Sequence, residues 1–399
     1  MQFPDLQQEK EKLVATFSGE HNVPLQDIRV VASPYRISPL GAHIDHQGGP
    51  VLGMTINAYS LLAYVPVDNG RIILRSANYP GQIDFDLQRI PAETGSFWGA
   101  YVRSAALALN EDKQLKRGIC GIINGMLPGC GLSSSASVLL AYLLALAEAN
   151  SLRPQPWDFV RLTRQAENKY IGLNNGILDQ TSIVFGKRHH LLHIDTKTEK
   201  VRAVKDNLLE KPYRILIAYS GVSRELMTTG YNTRVQECRQ AASELARLGG
   251  MPPAQKLADV PEQAFQQHGD SMPRHLQRRA AHFFSEVNRV QCGLKAWQDG
   301  RLRDFGRLML ESCQSSIEQY ECGSPAIQDL QKIVGSADSV IGARFGGGGF
   351  GGCVVGLVAA DRAVDAARDI REAYRKRRPE AAEQAAVYLA RSADGVRFL

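Results

Sequence analysis

The stretch Pro128-Gly129-Cys130-Gly131-Leu132-Ser133-Ser134-Ser135-Ala136-Ser137 runs straight into the apolar segment Val138 to Ala149. Glycines allow a tight turn, the first N–H groups of a helix have no intrahelical partners, and the positive end of its dipole faces the turn. Such a junction binds anions, phosphate above all. A serine cap on a core helix explains one serine, not three behind Gly-Cys-Gly. Gly-x-x-x-x-Gly-Lys-Ser/Thr is absent, so the usual P-loop does not account for the stretch.

A chain of 399 residues exceeds the size at which single cores stop growing, so two domains are expected. Hydrophobic residues at 44% and charged residues at 22% are ordinary for a globular protein. The net charge of +6 is spread along the chain, and the one basic cluster, Arg371 to Arg378, reads as a solvated helix end. Nucleic acid is not implied, whereas small anionic substrates are favoured. Seven cysteines without a C-x-x-C pair fit reduced, cytosolic usage. The N-terminus lacks a basic segment followed by an apolar one, and no run of ~20 apolar residues occurs, so a cytoplasmic protein outside the membrane is expected.

In chain order, residues 5–18 read as an amphipathic helix and 28–32 as a strand ending at Ser33-Pro34. A polar island follows, from Tyr35 to Gly49, in which Arg36, His43, Asp45 and His46 lie close together. In an extended segment His43 and Asp45 share one side. The island reads as a substrate loop, with a structural turn as the plain alternative and a metal site unsupported by further ligands. Residues 61–67 and 71–76 suggest a hairpin across Asp68-Asn69-Gly70. Asp179 sits between apolar neighbours in Gly176-Ile177-Leu178-Asp179-Gln180, where a buried carboxylate needs a partner unless it is a helix cap. Residues 213–219 open a second half dominated by helices, in which 249–269 reads as a surface excursion. Gly346 to Gly352 holds six glycines in seven residues between two strands, the composition of a backbone brought close to a ligand or to the other domain.

The island, the glycine-serine stretch and the glycine-rich hairpin, in that order and spacing, resemble the GHMP kinase superfamily and specifically its galactokinase branch. The island is most similar to that of galacturonokinases. The resemblance implies two α+β domains, 1–210 and 211–399, the first like a ribosomal-protein domain and the second ferredoxin-like, with the site between them. It implies ATP as co-substrate, Mg2+, and a small sugar as acceptor. Asp179 then stands at the catalytic base, with Arg36 beside it. Ser135 and Glu167 match the magnesium ligands, and Gly129, Gly131, Ser133, Ser134 and Ser135 the cradle of the ATP phosphates.

Sugar hydroxyls fall, on the same resemblance, to His43, Asp45, the Gly176 backbone and Tyr231. Trp98 and Tyr101 line the adenine pocket or belong to the core. The informative departure is Ala42, where galactokinases carry a glutamate facing the C6 hydroxyl. Two carboxylates ~4 Å apart repel by ~1 kcal/mol in water and by several times that in a partly dry site. A uronic acid is therefore the expected substrate, with Arg224, His43 or His46 as a basic partner for its carboxylate. A neutral-sugar kinase and a catalytically weakened sugar sensor are the alternatives, the second disfavoured because Arg36, Ser135, Glu167 and Asp179 are all present.

Overall fold

The computed structural model describes residues 1–95, 97–111, 113–127, 129–206, 212–222, 228–349 and 351–399, with Thr228 and Thr229 described by backbone alone. Pro128, Phe350, Arg224 and the expected boundary at 210/211 fall outside the described residues. The first half runs α1 (Leu6–His21), β1 (Arg29–Leu40), β2 (Val51–Val67), β3 (Arg71–Ser76), β4 (Gln82–Asp86), α2 (Gly99–Asn110), β5 (Gly118–Gly125), α3 (Ser134–Ala149), α4 (Pro156–Gln165), α5 (Leu178–Phe185), β6 (His190–Asp195) and β7 (Lys200–Lys205). The second runs β8 (Tyr213–Tyr219), α6 (Thr228–Leu248), α7 (Glu262–His268), α8 (Arg274–Gln298), α9 (Leu302–Glu318), α10 (Pro325–Gly335), β9 (Val340–Phe345), β10 (Cys353–Ala359), α11 (Ala363–Arg377), β11 (Ala386–Ala390) and β12 (Arg397–Phe398).

Two sheets organise these elements. One has eight strands, in the order β12-β1-β2-β5-β3-β4, with β6 joined to β2 and β7 to β6. The other is antiparallel, in the order β11-β8-β10-β9, the arrangement of a ferredoxin-like unit. The last strand, β12, returns to pair with β1 of the first sheet. The halves share a core: Tyr35, Ile37 and Leu52 pack in one cluster with Ile215, Trp297, Phe305 and Val355.

Three local expectations are corrected. Residues 61–67 and 71–76 do not pair as a hairpin, because β5 lies between them, antiparallel to β2 and parallel to β3. Glycines admit it: a Cβ at Gly118 would fall 1.8 Å from the Arg71 carbonyl oxygen, and one at Gly121 2.5 Å from that of Ala63. The strand begun near residue 28 does not end at Ser33-Pro34 but continues to Leu40, with register shifts after Pro34 and after Ile37. Irregular pairing is where a strand tolerates a residue without an N–H. Residues 249–269 are more than a surface excursion: they contain α7, and Leu257, Val260 and Ala264 are buried in the second-half core.

Among the described residues no helix is long and apolar enough to cross a membrane.

Candidate active site

The phosphate-type junction forms where β5 hands over to α3. Gly129 and Gly131 have φ of +78° and +79°, and Ser133, just before the helix, also adopts the left-handed region at +59°. The plain cap reading fails for Ser133, whose buried hydroxyl makes no capping bond and has no partner. Ser134 instead accepts the Gly129 N–H at 3.1 Å, tying the loop to the first helical turn. Ser137 points inward, donating to the Ser33 carbonyl at 2.8 Å.

The glycine-rich turn between β9 and β10 covers this loop. A Cβ on Gly352, at φ +92°, would lie 2.7 Å from the Cys130 oxygen, and one on Gly131 3.2 Å from the Gly346 oxygen. Only bare backbones fit this closely, which explains the composition of both segments.

On the other side of the loop a cavity is lined by Trp98, Tyr101, Gly129, Ser134, Ser135 and Val138. The sequence-derived aromatic pair thus borders the phosphate loop. Tyr79, Asn78 and Phe97 also line it. The Trp98 indole N–H donates to the Pro80 carbonyl at 3.3 Å, while Phe97, 56% exposed, sits edge-on to Tyr79 at the rim. Its place next to Trp98 ahead of an apolar helix is the signal that could have added Phe97.

Arg36 reaches the loop because the irregular part of β1 turns its N–H to the Leu132 carbonyl, at 3.1 Å. Its Nε donates to Asp179 Oδ1 at 2.7 Å and a terminal nitrogen lies 2.6 Å from the same oxygen. Arg36 is buried and Asp179 is 23% exposed, so the carboxylate keeps an open side. Asp179 is the second residue of α5, and the N–H of its neighbour Leu178 donates to Asp45 Oδ2 at 3.1 Å. Gly176 is needed for this approach, since a Cβ there would be 2.2 Å from Asp45 Oδ2. Burial first, and then the charge of Asp179, push the Asp45 carboxyl up to about 6. Tyr231, early in α6, shares this space: burial and the charges of Asp45 and Asp179 hold its phenol well above its ordinary value.

Glu167 sits in a π-helical turn, Ala166–Ile171, that continues α4. Such turns recur at functional sites, and this one buries the carboxylate. Ser135 Oγ is 3.3 Å from Oε1, and the Asn175 amide donates to Oε2 at 2.7 Å. Burial raises the Glu167 carboxyl to about 7, against the Asn175 hydrogen bond. Arg36, Asp45, Ser135, Glu167, Asp179 and Tyr231 thus form one connected or electrostatically coupled group.

His43 and Asp45 do not share a side. His43 has φ +61°, and its ring stacks on Tyr320 at 4.4 Å with Cys322 Sγ 3.5 Å from Nε2, while Asp45 faces Gly176 and Leu178. A left-handed residue breaks the alternation of an extended segment. His46 lies against Tyr320, its Nε2 3.2 Å from the hydroxyl, and burial and Arg239 lower it to about 3, so its ring is neutral near pH 7.

The Gly41–Ala42 turn is held from α8 by a residue the sequence reading did not single out. Glu286, fully buried, accepts the N–H of Gly41 at 2.8 Å and of Ala42 at 3.3 Å, with Ser312 at 2.6 Å and Arg289 at 2.6 Å. The Ala42 carbonyl meets His282 Nε2 at 2.9 Å. A glutamate inside an arginine-rich helix carries no local sign of this task.

Residues 100–187 match the GHMP kinases N terminal domain and residues 294–376 the GHMP kinases C terminal region. The chain is 42% identical over 388 residues to the galacturonokinase of Arabidopsis thaliana, covering 92% of this chain and 91% of that protein. To the galactokinase of Roseiflexus sp. (strain RS-1) it is 31% identical over 368 residues, covering 92% of each. The crystal structure of Lactococcus lactis galactokinase complexed with galactose superposes with a TM-score of 0.89 at 29% identity, over 97% of this chain and 99% of that one. The two domain matches, the superposition and the identity along nearly the whole length place the chain in the GHMP kinase family, within its galactokinase branch.

Proposed function

We propose that this protein transfers the γ-phosphoryl group of ATP to the anomeric hydroxyl of D-galacturonate. Asp179 takes the proton as the anomeric oxygen bonds to phosphorus and the bridging bond to ADP breaks. Arg36 contacts only Oδ1 of Asp179, which leaves Oδ2 to face the sugar. Its charge offsets charge on the migrating group. Asp45, Tyr231 and the Gly176 backbone hold sugar hydroxyls, and the Gly129 to Ser135 backbone with α3 holds the phosphates. Trp98, Tyr101 and Phe97 form the wall against which adenine packs.

Ser135 and Glu167 suit magnesium: hard oxygen donors, one of them a buried carboxylate that no Lys, Arg or His contacts among the described residues. A magnesium ion bound there neutralises triphosphate charge.

The observation that carries the sugar-acid reading is Ala42, buried and anchored by both of its backbone polar groups. Where galactokinases carry a carboxylate, this chain presents a methyl group, so the substrate brings the negative charge instead. A panel of galacturonate, glucuronate, galactose and arabinose with ATP and magnesium tests this, the product being identified by 31P and 1H NMR. Galacturonate 1-phosphate is the expected main product; a preference for galactose overturns the assignment.

A further inference from the structure

A second cavity of about 240 Å3 lies beyond His46, where elements of the two halves meet. Three cations from separate elements line it: Arg164 at the end of α4, Arg239 on α6, and Lys256 ahead of α7. Among the described residues no Asp or Glu lines the cavity, and no ion pair or hydrogen bond engages any of the three cations. Like charges gathered around one space repel, and an anion between them removes the repulsion. The charge of Arg239 is felt at His46, consistent with its facing inward.

Two amides add a second, independent sign. Asn168 and Asn175 both line the cavity, and each has a buried side-chain oxygen with no hydrogen-bond partner. The orientation of Asn175 is fixed, because its nitrogen donates to Glu167 and a flip would set oxygen against carboxylate. These acceptors lack a donor, and the hydroxyls of a sugar supply one.

We propose that this cavity is a second ligand site, adjoining the one around Arg36 and Asp179 through Asn175, and that it binds a phosphate group, either free or borne by a sugar. Cations from both halves converge on it, so an occupant bridges them. Arginine and lysine are the donors that phosphate oxygens accept best, while the two amide oxygens accept from hydroxyls. The assignment does not depend on which sugar the enzyme phosphorylates.

Isothermal titration calorimetry of the full chain with galactose 1-phosphate, and separately with inorganic phosphate, tests it. Binding is expected in the wild type and weakened by about tenfold or more in Arg164→Ala/Arg239→Ala, as for lost charge-assisted bonds. A sugar 1-phosphate also fits the catalytic site as product, so the binding is read with that site filled by a non-hydrolysable ATP analogue and the sugar substrate, and it is expected to survive in Arg239→Lys. The three cations are exposed, so Tm and affinity for an ATP analogue serve as controls for folding. Tighter binding of galactose 1-phosphate than of phosphate assigns the amides to sugar hydroxyls; equal affinities assign the site to the phosphate group alone. Affinity unchanged in the double variant, or no binding of either probe at about 10 mM to the enzyme with its catalytic site filled, overturns the proposal.

Discussion

Two nitrogens of Arg36 converge on a single oxygen of Asp179, at 2.7 and 2.6 Å. The pair therefore orients the carboxylate without occupying both of its oxygens. Asp179→Asn keeps the shape and removes the proton acceptor, so kcat should fall by about 10²–10⁴ while ATP binding persists. Arg36→Lys should also lower kcat, because an ammonium cannot reproduce a planar fork that also reaches the Gly131 carbonyl. Full turnover in Asp179→Asn would remove it from the base role.

With Asp45 on a sugar hydroxyl, as proposed above, sugar binding should depend on pH. Its carboxyl is raised to about 6, so it is protonated at acidic pH and gives up one of its acceptor sites. KM for the sugar should rise as pH falls below about 6, and the dependence should vanish in Asp45→Asn, whose KM is high throughout. The stability sign is opposite to that of an ion-paired aspartate. A raised folded-state pKa means that the fold holds the proton more tightly. The contribution is full below the ordinary value of 3.8 and is lost as pH rises through about 6. Tm difference curves between wild type and Asp45→Asn from pH 4.5 to 7.5 check this: the variant should gain relative stability toward the alkaline end.

Glu286 links α8 to the turn that carries Ala42. Burial alone would raise its carboxyl, yet Arg289, His282 and Arg344 bring it below the ordinary range, so the buried group is charged. Glu286→Gln leaves Arg289 without its partner and should cost about 3 kcal/mol, read by urea denaturation. KM for the sugar should rise more than KM for ATP. Equal effects on both would mean a general loss of structure and not a loosened sugar loop.

Gly352→Ala should separate the nucleotide from the sugar. The added Cβ would sit 2.7 Å from the Cys130 oxygen, at a φ of +92° that alanine disfavours, so the phosphate loop must shift. KM for ATP should increase several-fold with the sugar KM little changed; steady-state kinetics with each substrate varied in turn decide it.

Glu167→Gln should raise the magnesium concentration needed for half-maximal rate and abolish stabilisation of the ATP complex by magnesium, as seen in thermal shift. An unchanged magnesium requirement would place the ion elsewhere.

What could be read before the structure was local. The glycines between two strands announce a close backbone approach and make one, against the tight glycine turn ahead of the serine run, which announces an anion-binding helix start. Asp179 was legible because a carboxylate among apolar residues requires a partner, and Arg36 supplies it. The insertion of β5 between β2 and β3 depends on long-range pairing that a good turn at Asp68-Asn69-Gly70 conceals. The left-handed φ of His43 sends its ring to Tyr320 and away from Asp45, an outcome set by tertiary packing and not by spacing. Glu286 lies hundreds of residues along the chain from the turn it holds, and only the fold brings them together.

On the proposed function, residue 42 decides between a sugar acid and a neutral sugar. The direct measurement is kcat/KM for galacturonate and for galactose in the wild type and in Ala42→Glu, with Tm recorded to confirm folding. A second carboxylate at ~4 Å from the C6 carboxylate in a partly dry site should lower galacturonate kcat/KM by at least about tenfold and shift the ratio toward galactose. An unchanged ratio in a folded variant would contradict the account.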